Sequence, residues 1–154
     1  MNRRDALLMA GAALALAAAP RAPAAAPADD TPAIAPAAHD LYERAIVFDA
    51  NAAPPFQETL PFPKEMLDLV RNSGVTAVKT SLGGTDSKFE DTLSEIAFVQ
   101  RMIEAHPDVF MQIRTLGDVT LAKQSKRLGI LFSFESVEML EGKPDRIELF
   151  RNLG

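Results

Sequence analysis

The chain of 154 residues contains no cysteine. That absence removes disulfide frameworks, thiolate metal sites, a thiol nucleophile and a lipoprotein anchor together. Histidine is scarce as well, with His39 and His106 the only two; both read as ordinary surface residues, one in an Ala/Pro-rich stretch and one at a helix end before Pro107. Positive charge is in deficit, 16 Lys and Arg against 21 Asp and Glu. No basic stripe exists, so nucleic acid is not an expected partner. Gly83-Gly84 lacks the spacing of a phosphate-binding loop, which argues against a nucleotide site. No apolar run reaches the roughly 20 residues of a membrane span, and no stable membrane anchor is expected.

What is present begins with an N-terminal export pattern. Arg3 and Arg4 form a short basic region, Ala6 to Ala19 is built of Ala, Leu, Met and Gly alone, and Ala26-Pro27-Ala28 offers a small-residue cleavage site. Basic start, apolar middle and cleavage site define a secretory signal over residues 1–28. The adjacent arginines point to the twin-arginine route, with the general route as the alternative, because Asn2-Arg3-Arg4-Asp5-Ala6-Leu7 lacks the usual aromatic. Export implies a periplasmic mature protein of 126 residues carrying 13 basic and 20 acidic side chains, a net charge of −7. Residues 29–40, rich in Ala and Pro, read as a disordered tether, and 41–154 as the folded domain. Without disulfides that domain must rely on its core.

From Leu41 onward, short apolar runs alternate with amphipathic stretches. Ala45 to Phe48 has strand length and ends at Asp49. Pro63 to Asn72 reads as a helix with Met66, Leu69 and Val70 on one face and Gly74 just past its end. Val75 to Ser81 is β-rich and leads into Gly83-Gly84. Ser87 with Glu90 forms a capping box for a helix whose apolar face is Phe89, Leu93, Ile96, Ala97 and Ile103, ended by His106-Pro107. Val109 to Ile113 is a third strand. Thr115 with Asp118 caps a helix that closes near Gly129, Ile130 to Phe134 is a fourth strand, and Pro144 to Leu153 a last helix with Ile147, Phe150 and Leu153 inward. Apolar strands alternating with helices indicate a parallel sheet covered by helices. Two architectures fit: the N-terminal portion of a (β/α)8 TIM-type barrel, or a small open parallel α/β sheet. A barrel takes about 250 residues, so the first expects the protein to continue past Gly154.

In both architectures sites assemble at the C-terminal ends of the strands, here Asp49-Ala50-Asn51, Thr80-Ser81 and Glu135-Ser136. Glu135 follows five apolar or small residues, where a carboxylate needs a cation, a metal or donors unless it already reaches solvent. It reads either as a metal ligand or general base, or as a solvated strand end. For Asp49 a structural hydrogen bond to loop amides is favoured. Ser81 has no histidine near it in a triad arrangement.

The order of these segments resembles the N-terminal part of the membrane (renal) dipeptidase family of zinc peptidases, over Leu41 to Gly154. Ala45-Ile46-Val47-Phe48-Asp49-Ala50-Asn51 occupies the place of the family's first strand, which runs into Asp-Gly-His-x-Asp. Glu104 to Phe110 resembles its helix end, usually Tyr-Pro-Asp-x-Phe. Leu128 to Glu135 resembles the strand that supplies a glutamate bridging two zincs, and Asp145 to Gly154 the helix that follows. The resemblance implies a metal-dependent hydrolase of dipeptides or related small amides, with Glu135 as metal ligand and Asn51 and Asp49 in the substrate region. It also implies a departure. Where the family places His-x-Asp, this chain has Asn51-Ala52-Ala53, and alanine coordinates nothing. The Gly-Gly-His expected after the glutamate is Ser136-Val137-Glu138. One zinc or none is therefore expected where the family holds two, and the rival reading is a non-catalytic barrel binding a small ligand or a protein. A homo-oligomer stays open.

Overall fold

The computed structural model describes residues 34–51 and 59–154. The elements in order are α1 (Pro36–Arg44), β1 (Phe48–Asp49), α2 (Lys64–Asn72), β2 (Ala77–Leu82), α3 (Phe89–Ala105), β3 (Phe110–Ile113), α4 (Leu116–Ser125), β4 (Leu128–Phe134), a 3₁₀ turn (Glu138–Leu140) and α5 (Arg146–Leu153). Ile34 to Gly154 form one compact unit. The four strands make a single parallel sheet in the order β1-β2-β4-β3, the α/β arrangement expected from the alternation of apolar strands and helices.

β4 sits between β2 and β3, so the crossover through α3 skips one strand position and the one through α4 steps back. Right-handed crossovers running in opposite directions put their helices on opposite faces. The core is divided accordingly. On the first face Val78, Leu82, Phe110, Leu128, Ile130 and Phe132 meet Ile96, Val99 and Met102 of α3 and Phe150 of α5, with Met66, Leu67 and Val70 of α2 alongside. On the second, Ala77, Met111, Ile113 and Leu131 meet only Val119 and Ala122 of α4. Gly129 makes that approach feasible, since a Cβ there would lie 2.5 Å from Ile113 Cδ1.

Several elements differ from the sequence reading, each for a local reason. Residues 29–40 are not a tether throughout, because α1 begins at Pro36. Proline fits the first helical turn, Ala37 and Ala38 favour a helix, and Tyr42 fastens α1 by donating its hydroxyl hydrogen to Ser73 O at 3.0 Å. β1 is only two residues long and both are exposed, since it is an edge strand; Ile46 is also exposed. On α2 it is Leu67 rather than Leu69 that faces inward, Leu69 being 74% exposed. α3 is capped one residue later than Ser87: Lys88 N–H donates to the Asp91 carboxylate at 3.1 Å. α4 is capped by Thr115 and Asp118 as expected. It stops at Lys126, which adopts left-handed φ 53°, and Gly129 belongs to β4. Ile147 of α5 points outward. His106 is not a surface residue but 7% exposed. Its Nε2 accepts the Phe62 N–H at 2.9 Å and its ring stacks on Phe62 with centroids 5.5 Å apart.

Candidate functional site

At the C-terminal ends of the strands the chain turns tightly and knits neighbouring loops together. Asp49 accepts the backbone N–H of Asn51 at 3.0 Å, a two-residue Asx turn that bends the chain out of β1. The Asn51 carboxamide oxygen in turn accepts from Ser81 Oγ at 3.4 Å, joining β1 to β2. After β4, Glu135 N–H donates to Leu82 O at 3.3 Å and Ser136 Oγ donates to Gly83 O at 3.4 Å. The Gly83-Gly84 loop is held from below, where Gly83 N–H donates to the Glu95 carboxylate at 2.8 Å.

Glu135 thus stands at the rim, fixed through its backbone, while its side chain is exposed. A Cβ added at Gly84 would lie 3.8 Å from the Glu135 Oε2, so the carboxylate rests beside that loop. No hydrogen bond or ion pair to its carboxylate occurs among the described residues. Asp49 and Asn51 are likewise exposed. Ala53 and the signal residues Arg3, Arg4 and Ala28 lie outside the described residues.

These residues do not fit a two-zinc centre. Among the described residues no three His, Asp or Glu side chains gather as a metal would require. The carboxamide of Asn51 is engaged by Ser81. His106 is enclosed in the first-face core with its Nε2 occupied by Phe62. Glu135 offers a carboxylate at the rim with no hydrogen bond or ion pair among the described residues.

Two residues that sequence reasoning passed over belong to the same place. Strand alternation sends Ala77, Lys79 and Ser81 to the second sheet face and Val78, Thr80 and Leu82 to the first. The register sets Lys79 beside Leu131 and Ser81 beside Ser133. Ser133 was findable because it interrupts the apolar run from Ile130 to Phe134; Lys79 was not singled out by alternation, since Lys79, Thr80 and Ser81 are all polar.

A separate hollow of about 370 Å³ lies at the opposite end of the sheet, lined among others by Arg71, Lys123, Lys126 and Arg127. Its cations gather where α2 and α4 end, as helix carbonyl termini favour. Arg71 pairs with Asp68 and Asp108, and Arg127 donates to Ser125 Oγ and Pro107 O. Arg71 and Arg127 are thus engaged in structural contacts. Among the described residues no helix is long and apolar enough to cross a membrane.

No protein-family model matches the chain, and no curated protein matches it either. Among solved structures it is similar to an amidohydrolase from Pseudomonas aeruginosa, with TM-score 0.61 and 24% identity over 75% of this chain. The match covers 34% of that protein, so the chain spans about a third of its length. The likeness is one of fold.

Proposed function

We propose that this chain contributes the first strands of an amidohydrolase-type hydrolase that acts in the periplasm on dipeptides or related small amides. The observation that carries the reading is Glu135, a carboxylate held at the C-terminal rim of a sheet shared with an amidohydrolase, with no described partner of its own. Strand ends are where such sheets place their chemistry. A carboxylate there accepts the proton of an attacking water and returns it to the leaving amine, the work of a general base. Asn51 and Ser81, linked across β1 and β2, supply a hydrogen-bonding wall for the substrate. The membrane dipeptidase resemblance supports the substrate class. The missing His-x-Asp pair makes this a rebuilt member, so no step here is assigned to metal ions.

The test is Glu135→Gln in the intact mature protein, which removes the charge and keeps the shape. Hydrolysis of dipeptides should fall by about 10²-fold to 10⁴-fold, the range a general base contributes, with the thermal midpoint unchanged. Unchanged turnover would remove Glu135 from the chemistry. The replacement of the family's His-x-Asp by Asn51-Ala52-Ala53 motivates a second reading, a binding protein without catalysis. It predicts no hydrolysis in the wild type and ligand affinity that survives the substitution.

A further inference from the structure

We propose that Lys79 is an anion-recognition residue whose ammonium group takes the carboxylate of a small acid ligand on the second sheet face. The proposal deepens the hydrolase reading and rests on it for the site's place in the molecule. Lysine is depleted from strands, and Lys79 lies in β2 just past the end of the β1 pairing, with β4 beside it. Lys79 is the only charged residue within β2, β3 and β4. It is half-buried, with Ala77 on its own strand below it and Leu131 beside it in register. No hydrogen bond or ion pair engages its ammonium group among the described residues. Its stem lies against apolar neighbours while its ammonium group meets no counter-charge among the described residues, which leaves that group free to take a negative partner.

The surroundings fit a carboxylate. One step toward the rim, the register aligns Ser81 with Ser133, and the Asn51 carboxamide leans on Ser81. On this face the core residues of α4 are Val119 and Ala122, grouped with Ala77, Met111 and Ile113, while the polar residues lie toward the strands' C-terminal ends. A carboxylate accepts several hydrogen bonds at once, and those from a charged donor are the strongest. With the Ser81 hydroxyl hydrogen given to Asn51, the donors on this face are the Lys79 ammonium and the Ser133 hydroxyl. Asp49 and Glu135 stand at the rim, so the arrangement favours a ligand with one anionic end, such as the carboxyl-terminal half of a dipeptide.

The competing explanation is that the lysine stem merely covers apolar surface and its charge reaches solvent. Calorimetry separates the two, using levulinate as the probe. Levulinate is a non-hydrolysable isostere of N-acetylglycine, and its control is the neutral alcohol bearing a hydroxymethyl group instead of the carboxylate. Intact wild-type protein should bind levulinate at least about tenfold more tightly than the alcohol, as a charge-assisted bond supplies. Lys79→Met should abolish that preference, and Lys79→Gln serves the same purpose if the methionine variant does not fold. A wild type with no preference, or a folded variant that keeps it, overturns the proposal. Neither probe is hydrolysed, so the result does not depend on turnover. A Lys79-dependent preference in a protein that cleaves no dipeptide would sink the hydrolase reading and leave the anion site standing; dipeptide cleavage without the preference would do the reverse.

Discussion

His106 illustrates how one side chain closes a junction. Its imidazole stacks on Phe62, lies edge-on to Phe110 and accepts a backbone hydrogen bond. The loop after β1 is thereby fastened to the end of α3, which orients the chain leading into α2. His106→Ala removes a buried hydrogen bond and a ring contact together. We expect a loss of about 2 kcal/mol, read as a lower urea midpoint; a change below about 0.5 kcal/mol, the range of ordinary surface substitutions, would contradict this role. The position was not legible in the sequence, because His before Pro-Asp at a helix end marks a surface turn as readily as a cap on a core. Phe62, its partner 44 residues away, carried no periodic pattern. Asn51 and Glu135 were legible for the opposite reason: strand ends can be read from where apolar runs stop.

Among the elements, β4 and α4 depend most on small residues and caps. Gly129 leaves room for Ile113, whose Cδ1 and Cγ1 would lie 2.5 and 2.6 Å from an added Cβ. Gly129→Ala should therefore destabilise by about 1–3 kcal/mol, the usual cost of overpacking. Adding Ile113→Ala should recover part of that loss, giving a double mutant less destabilised than the sum of the singles. Strict additivity in thermal melts would show that the two do not meet. At the start of α4, hydrogen bonds from the Arg114 and Thr115 amides and from the Thr115 hydroxyl hold the Asp118 carboxyl below its usual range. Its folded value lies below its unfolded one, so the cap's contribution is present above the unfolded pKa and disappears as pH falls through the folded one. Thr115→Ala should cost about 1 kcal/mol, and Asp118→Asn should flatten the acid limb of a stability–pH profile; an unaltered limb would contradict the account. This cap was readable in sequence because Thr and Asp stand at the required spacing. The Lys88 cap was not, since its donor is backbone and only Asp91 marks it. The strand order was equally hidden: alternation reveals strands, but long-range pairing decides that β4 enters between β2 and β3.

For the whole molecule, the alternation of strands and helices revealed the α/β class, while the division into one large and one small core became visible only with the strand order. Export is the other property at this scale. If residues 1–28 direct the twin-arginine route, replacing both Arg3 and Arg4 with Lys should leave unprocessed protein in the cytoplasm, and the wild type should carry a mature N-terminus near Asp29. Normal processing of the double mutant would exclude that route and keep the signal. The central claim is the proposal above that this sheet carries a rebuilt hydrolase site, because Asn51 and Ala53 stand where the dipeptidase resemblance expects zinc ligands. The measurement that bears on it most directly is the zinc content of the intact protein, purified without chelator and assayed in parallel for dipeptide hydrolysis. The account predicts clearly fewer than two zincs per chain, with weak dipeptidase activity that requires Glu135. Two tightly bound zincs with brisk hydrolysis would contradict it.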